Sequence, residues 1–114
     1  MITPFHLAIP VASVEASRRF YVDLLGCSEG RSSAHWVDFN LFGHQLVCHE
    51  VEGQKAVEEG SWKETGAPTN PVDGHDVPVP HFGVVLEMET WQALADRLMS
   101  AGVQFVIEPY IRFK

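Results

Sequence analysis

The chain has 114 residues, 46% of them hydrophobic and 20% charged, a composition that describes one ordinary globular domain. At this length folding removes roughly two-thirds of the unfolded chain's surface from water, so no staple of disulfides or structural metal is required. Fifteen acidic residues against eight Lys and Arg give a net charge of -7, the wrong sign for a phosphate backbone or an anionic membrane surface, and nucleic acid and membrane are excluded as expected partners. The opening residues lack the basic stretch of a secretory signal, and no segment reaches the roughly 20 apolar residues of a spanning helix. Cys27 and Cys48 fit neither a CxxC pair nor a zinc-ligand spacing. Two scattered free thiols are expected in a reducing, cytoplasmic setting.

Residues 4–11 alternate as a strand, with Phe5, Leu7, Ile9 and Val11 on one face and His6, Ala8 and Pro10 on the other. Ser13 is placed to cap a helix over 14–25, whose stripe is Ala16, Phe20, Tyr21, Leu24 and Leu25, and Gly26 is placed to stop it. Residues 27–31 make room for one short strand. Residues 35–41 and 44–51 read as two more, joined by a turn at Phe42-Gly43. Residues 52–79 hold Gly53, Gly60, Gly66, Gly74, Pro68, Pro71 and Pro78 without a strong apolar period, and read as a long lid, a binding segment or a disordered loop, with a weak helix over 54–59.

The opening pattern then recurs. Phe82, Val84 and Leu86 alternate with His81, Gly83, Val85 and Glu87; Thr90 is placed to cap a helix bearing Trp91, Leu94, Ala95, Leu98 and Met99; Gly102 stops it; residues 103–107 form a further strand. His6 recurs at His81 and the stop Gly26 at Gly102, offsets that agree within one residue. This is an internal repeat. The expected fold is therefore α+β, one domain over 1–114 built of module one (1–51), a loop (52–79) and module two (80–114).

In each module the aliphatic face of the first strand must cover the helix, because only then do both apolar stripes leave water together. His6 and His81 lie on the opposite face, each followed two positions later by Ala8 or Gly83, which leave space. A single strand histidine is ordinarily a half-buried polar residue bonded to a neighbour. Two at equivalent places in a repeat point to metal ligands, and imidazole suits Fe, Mn, Ni, Zn or Co.

The segments Phe5-His-Leu-Ala-Ile-Pro-Val, Ser17-Arg-Arg-Phe-Tyr-Val-Asp-Leu-Leu-Gly and Pro80-His-Phe-Gly-Val-Val-Leu resemble the vicinal-oxygen-chelate superfamily, which includes glyoxalase I, extradiol dioxygenases, fosfomycin-resistance transferases and bleomycin-resistance proteins. The resemblance implies paired βαβββ modules whose mixed sheet curls around a divalent metal chelated by neighbouring substrate oxygens. It places His6 and His81 at metal-ligand positions and makes Gln45 and His49, on one face of module one's last strand, further candidates. It also implies a homodimer and a small-molecule substrate. The family's final ligand is a glutamate on the last strand of module two. Two strands of that module are missing from the pattern here, so either the natural chain is longer or a second copy completes the sheet; the first is expected, with the third ligand beyond Lys114. Of Glu50, Glu87 and Glu108, only Glu87 shares the histidine face, at the strand's far end.

Trp36 is expected to line the cleft and Trp62 to sit in the lid, both as substrate-binding residues, while Trp91 belongs to a helix core. Asp73-Gly-His-Asp76 reads as turn chemistry, and His35 and His44 as surface or rim residues. Two functions fit: a metal-dependent enzyme of the glyoxalase or dioxygenase type, or a metal-free protein sequestering an aromatic or cationic ligand as bleomycin-resistance proteins do.

Overall fold

The computed structural model describes residues 3–55 and 66–111, so Trp62 and most of the suggested 54–59 helix lie outside the described residues. The chain divides into two compact units, Met1–Ala56 and Val57–Lys114. The fold is α+β, with a mixed four-stranded sheet and a separate two-stranded one.

The first unit begins with β1 (His6–Val11), followed by α1 (Val14–Arg18), β2 (Ser28–Ser32), β3 (Trp36–Leu41) and β4 (His44–Glu50). The sheet order is β1-β4-β3-β2, with β1 parallel to β4 and the other pairs antiparallel. This is one βαβββ module. Burial along β1 alternates as the sequence predicts: Leu7, Ile9 and Val11 are half-buried, while His6, Ala8 and Pro10 are exposed. In register with them, Val37, Phe39, Leu46 and Cys48 form the core, all at most 1% exposed, with Val14 and Ser17 of α1 buried above. The Tyr21 and Phe39 rings meet at 5.2 Å.

Ser13 caps α1 as expected, its hydroxyl accepting from the Ala16 N–H at 3.2 Å. Glu50 accepts the Val14 N–H at 2.9 Å, which gives that carboxylate a structural task at the helix entrance. The helix does not remain α. Residues Arg19–Leu24 form a π-helical stretch, with Leu25 N–H reaching Phe20 O at 3.0 Å. The wider turn advances the register, so Tyr21 covers the sheet and Phe20, predicted to share the buried stripe, is 46% exposed. Gly26 closes the segment at φ 80. At the β3–β4 hairpin Phe42 and Gly43 both have positive φ, the type I′ geometry that matches strand twist.

The second unit departs from prediction in three places. Part of the presumed loop is a hairpin, β5 (Thr69–Val72) and β6 (His75–Pro78), turned at Asp73-Gly74 with φ 50 and 81. Of the Asp73-to-Asp76 cluster, Asp73 and Gly74 are thus turn residues, while His75 and Asp76 belong to β6. Residues 81–87 and 103–107, predicted as strands, form no ladder. Their alternation persists, with Val84 and Leu86 half-buried and Val85 fully exposed, yet a strand also needs a hydrogen-bonded neighbour. In the first unit that neighbour of β1 is β4; its counterpart would follow residue 107, where the described residues form no strand. Between these segments α2 (Met88–Ser100) starts two residues before the predicted cap: Glu87, not Thr90, is the N-cap residue, and its carbonyl accepts the Trp91 N–H at 2.8 Å. Gly102 ends the helix as expected, with Val103 N–H to Leu98 O at 3.2 Å and Gly102 N–H to Met99 O at 3.1 Å, a Schellman closure. Ala95 is buried on this helix and Trp91 half-buried.

Candidate functional site

The face of the four-stranded sheet turned away from α1 carries His6 and Ala8 on β1, Gln45, Val47 and His49 on β4, and Trp36, Asp38 and Asn40 on β3. Register decides which of these meet. His6 is level with Gln45, and its Nδ1 lies 2.8 Å from Gln45 Oε1. His49 is level with Pro10 and Trp36, four residues further along β4. That separation is about 13 Å at roughly 3.3 Å per residue, so His6 and His49 cannot grip one ion. Gln45 therefore has a polar partner among the predicted residues, and His49 stands apart from both.

A residue not singled out in the sequence completes the cluster. Gln45 Nε2 donates to Asp38 Oδ2 at 3.4 Å, and Asp38 Oδ1 accepts the backbone N–H of Arg31 at 3.0 Å. That N–H is available because β2 bulges. Between Glu29↔Phe39 and Ser32↔Val37, β2 takes one more residue than β3, which leaves Gly30 and Arg31 opposite Asp38. Gly30 is required by space, since a Cβ there would overlap Asp38 Oδ1 and stand 3.1 Å from its Cγ. The signal for Asp38 was its parity with Trp36, two positions away on the same strand face.

The chain of donors sets the protons. The two oxygens of Asp38 face donors, the Arg31 N–H and the amide nitrogen of Gln45, and the amide oxygen of Gln45 faces His6. His6 Nδ1 must then carry the ring proton, leaving Nε2 with the lone pair. In the second unit His81 Nδ1 lies 2.7 Å from Pro78 O, a backbone carbonyl that can only accept, so this ring is also protonated on Nδ1. Both predicted ligands thus donate from Nδ1 to a carbonyl oxygen and leave Nε2 as the unprotonated nitrogen, the arrangement by which protein carbonyls orient metal-binding imidazoles. Among the described residues no three His, Cys, Asp or Glu side chains cluster as a complete ligand set.

A hollow of about 360 Å³ opens on the first unit, lined by Pro4, Gly30, Asp38, Asn40, His44 and Gln45 among others. His44 is anchored at its rim: Nδ1 accepts the Phe5 N–H at 3.0 Å and the ring meets Phe5 edge-on at 4.5 Å. His35 is exposed and 3.6 Å from Glu50. Trp36 is half-buried, with the Arg31 guanidinium 5.7 Å from its ring centroid, so a cationic ligand on that ring would have to displace the chain's own cation. Both cysteines are buried and free. Burial pushes the Cys48 thiol up to about 11, with the Ser17 hydroxyl pulling weakly the other way, and raises that of Cys27. Neither is a poised nucleophile.

Comparison with known proteins follows the same lines. A glyoxalase/bleomycin resistance protein/dioxygenase from Alicyclobacillus acidocaldarius superposes with a TM-score of 0.62 at 26% identity, covering 88% of this chain and 64% of that one, so the present chain spans under two-thirds of that protein's length. The fosfomycin resistance protein FosX of Listeria monocytogenes (TM-score 0.55, 15% identity, 91% of this chain and 70% of that one) shares the fold. So does a lactoylglutathione lyase of Agrobacterium tumefaciens (TM-score 0.54, 14% identity, 97% of this chain and 77% of that one). No curated protein sequence matches. The family model for the Glyoxalase/Bleomycin resistance protein/Dioxygenase superfamily matches residues 3–110, nearly the whole described chain, and the chain belongs to that superfamily.

Proposed function

We infer that the chain is a divalent-metal-dependent enzyme of the glyoxalase or dioxygenase type, acting on a small molecule through two neighbouring oxygens. The observation that carries this reading is the shared polarity of His6 and His81, each donating from Nδ1 to a carbonyl oxygen and keeping Nε2 as a lone-pair donor. Imidazole nitrogens so oriented suit Fe, Mn, Ni, Zn or Co, and a metal so bound would supply Lewis-acid polarisation of the substrate's oxygens. Gln45 serves in this reading as the partner that orients His6. A carboxylate is still needed to complete the ligand set, and His49 is too far from His6 to replace it. Trp36 and Trp62 are assigned to substrate binding. Homodimer assembly is proposed on family membership, and a cytoplasmic location on the two free, buried thiols.

The test is titration of the purified chain with Co²⁺, read from visible absorbance. One equivalent is expected to bind, and His6→Ala and His81→Ala are each expected to abolish binding. Stoichiometric metal retained in both variants overturns the assignment. Tight, chelator-insensitive binding of an aromatic cation without turnover would select the sequestering function, a reading that the Arg31–Trp36 contact disfavours.

A further inference from the structure

We propose that Asp38 is a positioning residue: seated by the β2 bulge, it dictates the orientation of the Gln45 amide and, through it, which nitrogen of His6 carries the proton. Three observations support it, all within the first unit. The bulge at Gly30–Arg31 turns one N–H away from the β3 ladder and onto Asp38 Oδ1. Gly30 leaves the space that the carboxylate occupies, since a Cβ there would overlap Asp38 Oδ1. Asp38 Oδ2 then takes the Gln45 amide nitrogen, and Gln45 Oε1 takes His6 Nδ1. Backbone, carboxylate, amide and imidazole form one line of donors and acceptors with a single sense. Free neutral imidazole favours the opposite tautomer, with the proton on Nε2, so the line has something to overcome. The inference rests on the proposed function for its use, because Nε2 is the atom that a metal would take. The tautomer itself does not depend on that reading.

The direction of the line makes a sharp prediction for Asp38→Asn. The Arg31 N–H still requires an oxygen, so the new amide nitrogen must face Gln45 and can only donate. Gln45 then turns its oxygen toward residue 38 and its nitrogen toward His6. His6 Nδ1 becomes an acceptor and the ring proton moves to Nε2. Long-range proton–nitrogen correlation spectra of the ¹⁵N-labelled chain at a pH of about 8.5, where an ordinary imidazole is neutral, report the tautomer directly. The His6 signal is assigned by its loss in His6→Ala. The wild type is expected to show Nδ1–H and Asp38→Asn predominantly Nε2–H. Gln45→Leu, at an exposed position, removes the acceptor and is expected to shift His6 the same way even where Asp38→Asn folds poorly. An Nε2–H wild type, or an unchanged His6 tautomer in either folded variant, overturns the proposal. Co²⁺ titration of the same samples separates the two readings. If the wild type takes up no Co²⁺, the enzyme assignment fails and the tautomer result stands. If it takes up Co²⁺ while the tautomer ignores both substitutions, the positioning role fails alone. With both correct, Asp38→Asn weakens Co²⁺ binding by about 10- to 100-fold.

Discussion

Gly30→Ala tests whether the bulge and Asp38 are one unit. The backbone at Gly30 is not in the positive-φ region, unlike Gly26, Gly43, Gly53, Gly66, Gly74 and Gly102, so alanine meets no conformational penalty there. Its methyl group instead meets the Asp38 carboxylate. Moving that carboxylate forfeits the bond from the Arg31 N–H and the contact with Gln45. A hydrogen bond to a charged group contributes about 1.5–3 kcal/mol, and solvent access to the half-buried Asp38 reduces this to roughly 1–2 kcal/mol. Against it, alanine narrows the unfolded ensemble and returns about 0.5 kcal/mol. Gly30→Ala should therefore destabilise by about 1 kcal/mol. In an Asp38→Ala background the obstacle is gone, and the same substitution should stabilise by about 0.5 kcal/mol. The double-mutant cycle is thus expected to give a coupling of about 1–2 kcal/mol in urea unfolding followed by circular dichroism, with the m-value unchanged. Additive single effects, or a stabilising Gly30→Ala in the wild-type background, would refute the idea that the missing Cβ exists for Asp38.

Two further predictions concern the core beneath α1. Burial holds the Cys48 thiol at about 11 and the Tyr21 hydroxyl at about 12, both above their ordinary values, so the unfolded chain loses these protons first as pH rises. Stability is then complete below about pH 9 and declines from there through pH 11, by something on the order of 2 kcal/mol for Cys48; urea midpoints across that range should show the loss, and Cys48→Ala should flatten it. Phe39, 1% exposed and packed on Tyr21, should cost about 3–5 kcal/mol when replaced by alanine; a chemical-denaturation difference under 2 kcal/mol would mean that the sheet and helix collapse onto the gap.

Most of the first module could be read from residue order because its signals are local. The alternation of β1, the Ser13 cap, the positive-φ turn at Phe42-Gly43 and the stop at Gly26 each depend on a few neighbouring residues and elementary sterics. The bulge was not legible, because it is a mismatch between two strands and no single strand records it. Asp38 escaped for a related reason: its parity was visible, but its importance comes from an N–H that only the bulge releases. The π-helical stretch likewise leaves no mark in a pattern read at 3.6 residues per turn. In the second unit the Asp73-Gly74 turn signal was present, and Pro71 and Pro78 concealed the strands beside it, since proline is tolerated only where a strand has no partner on that side. Residues 81–87 show the converse, a correct alternation without the neighbour that would make it a strand.

The two histidines reach the same tautomer by unequal means, and the difference shows where the repeat is adjustable. Pro78 O cannot reverse its polarity, so the Nδ1–H state of His81 is imposed by backbone that no side-chain substitution rewrites. The amide facing His6 can turn over, and only the charge at residue 38 prevents it. Substitutions on β3 should therefore move His6 and leave His81 fixed, which makes His81 an internal reference in every spectrum of the Asp38 variants. A change in both rings would mean that the variant had disturbed the fold as a whole; a change in His6 alone would locate the effect in the line that starts at the bulge.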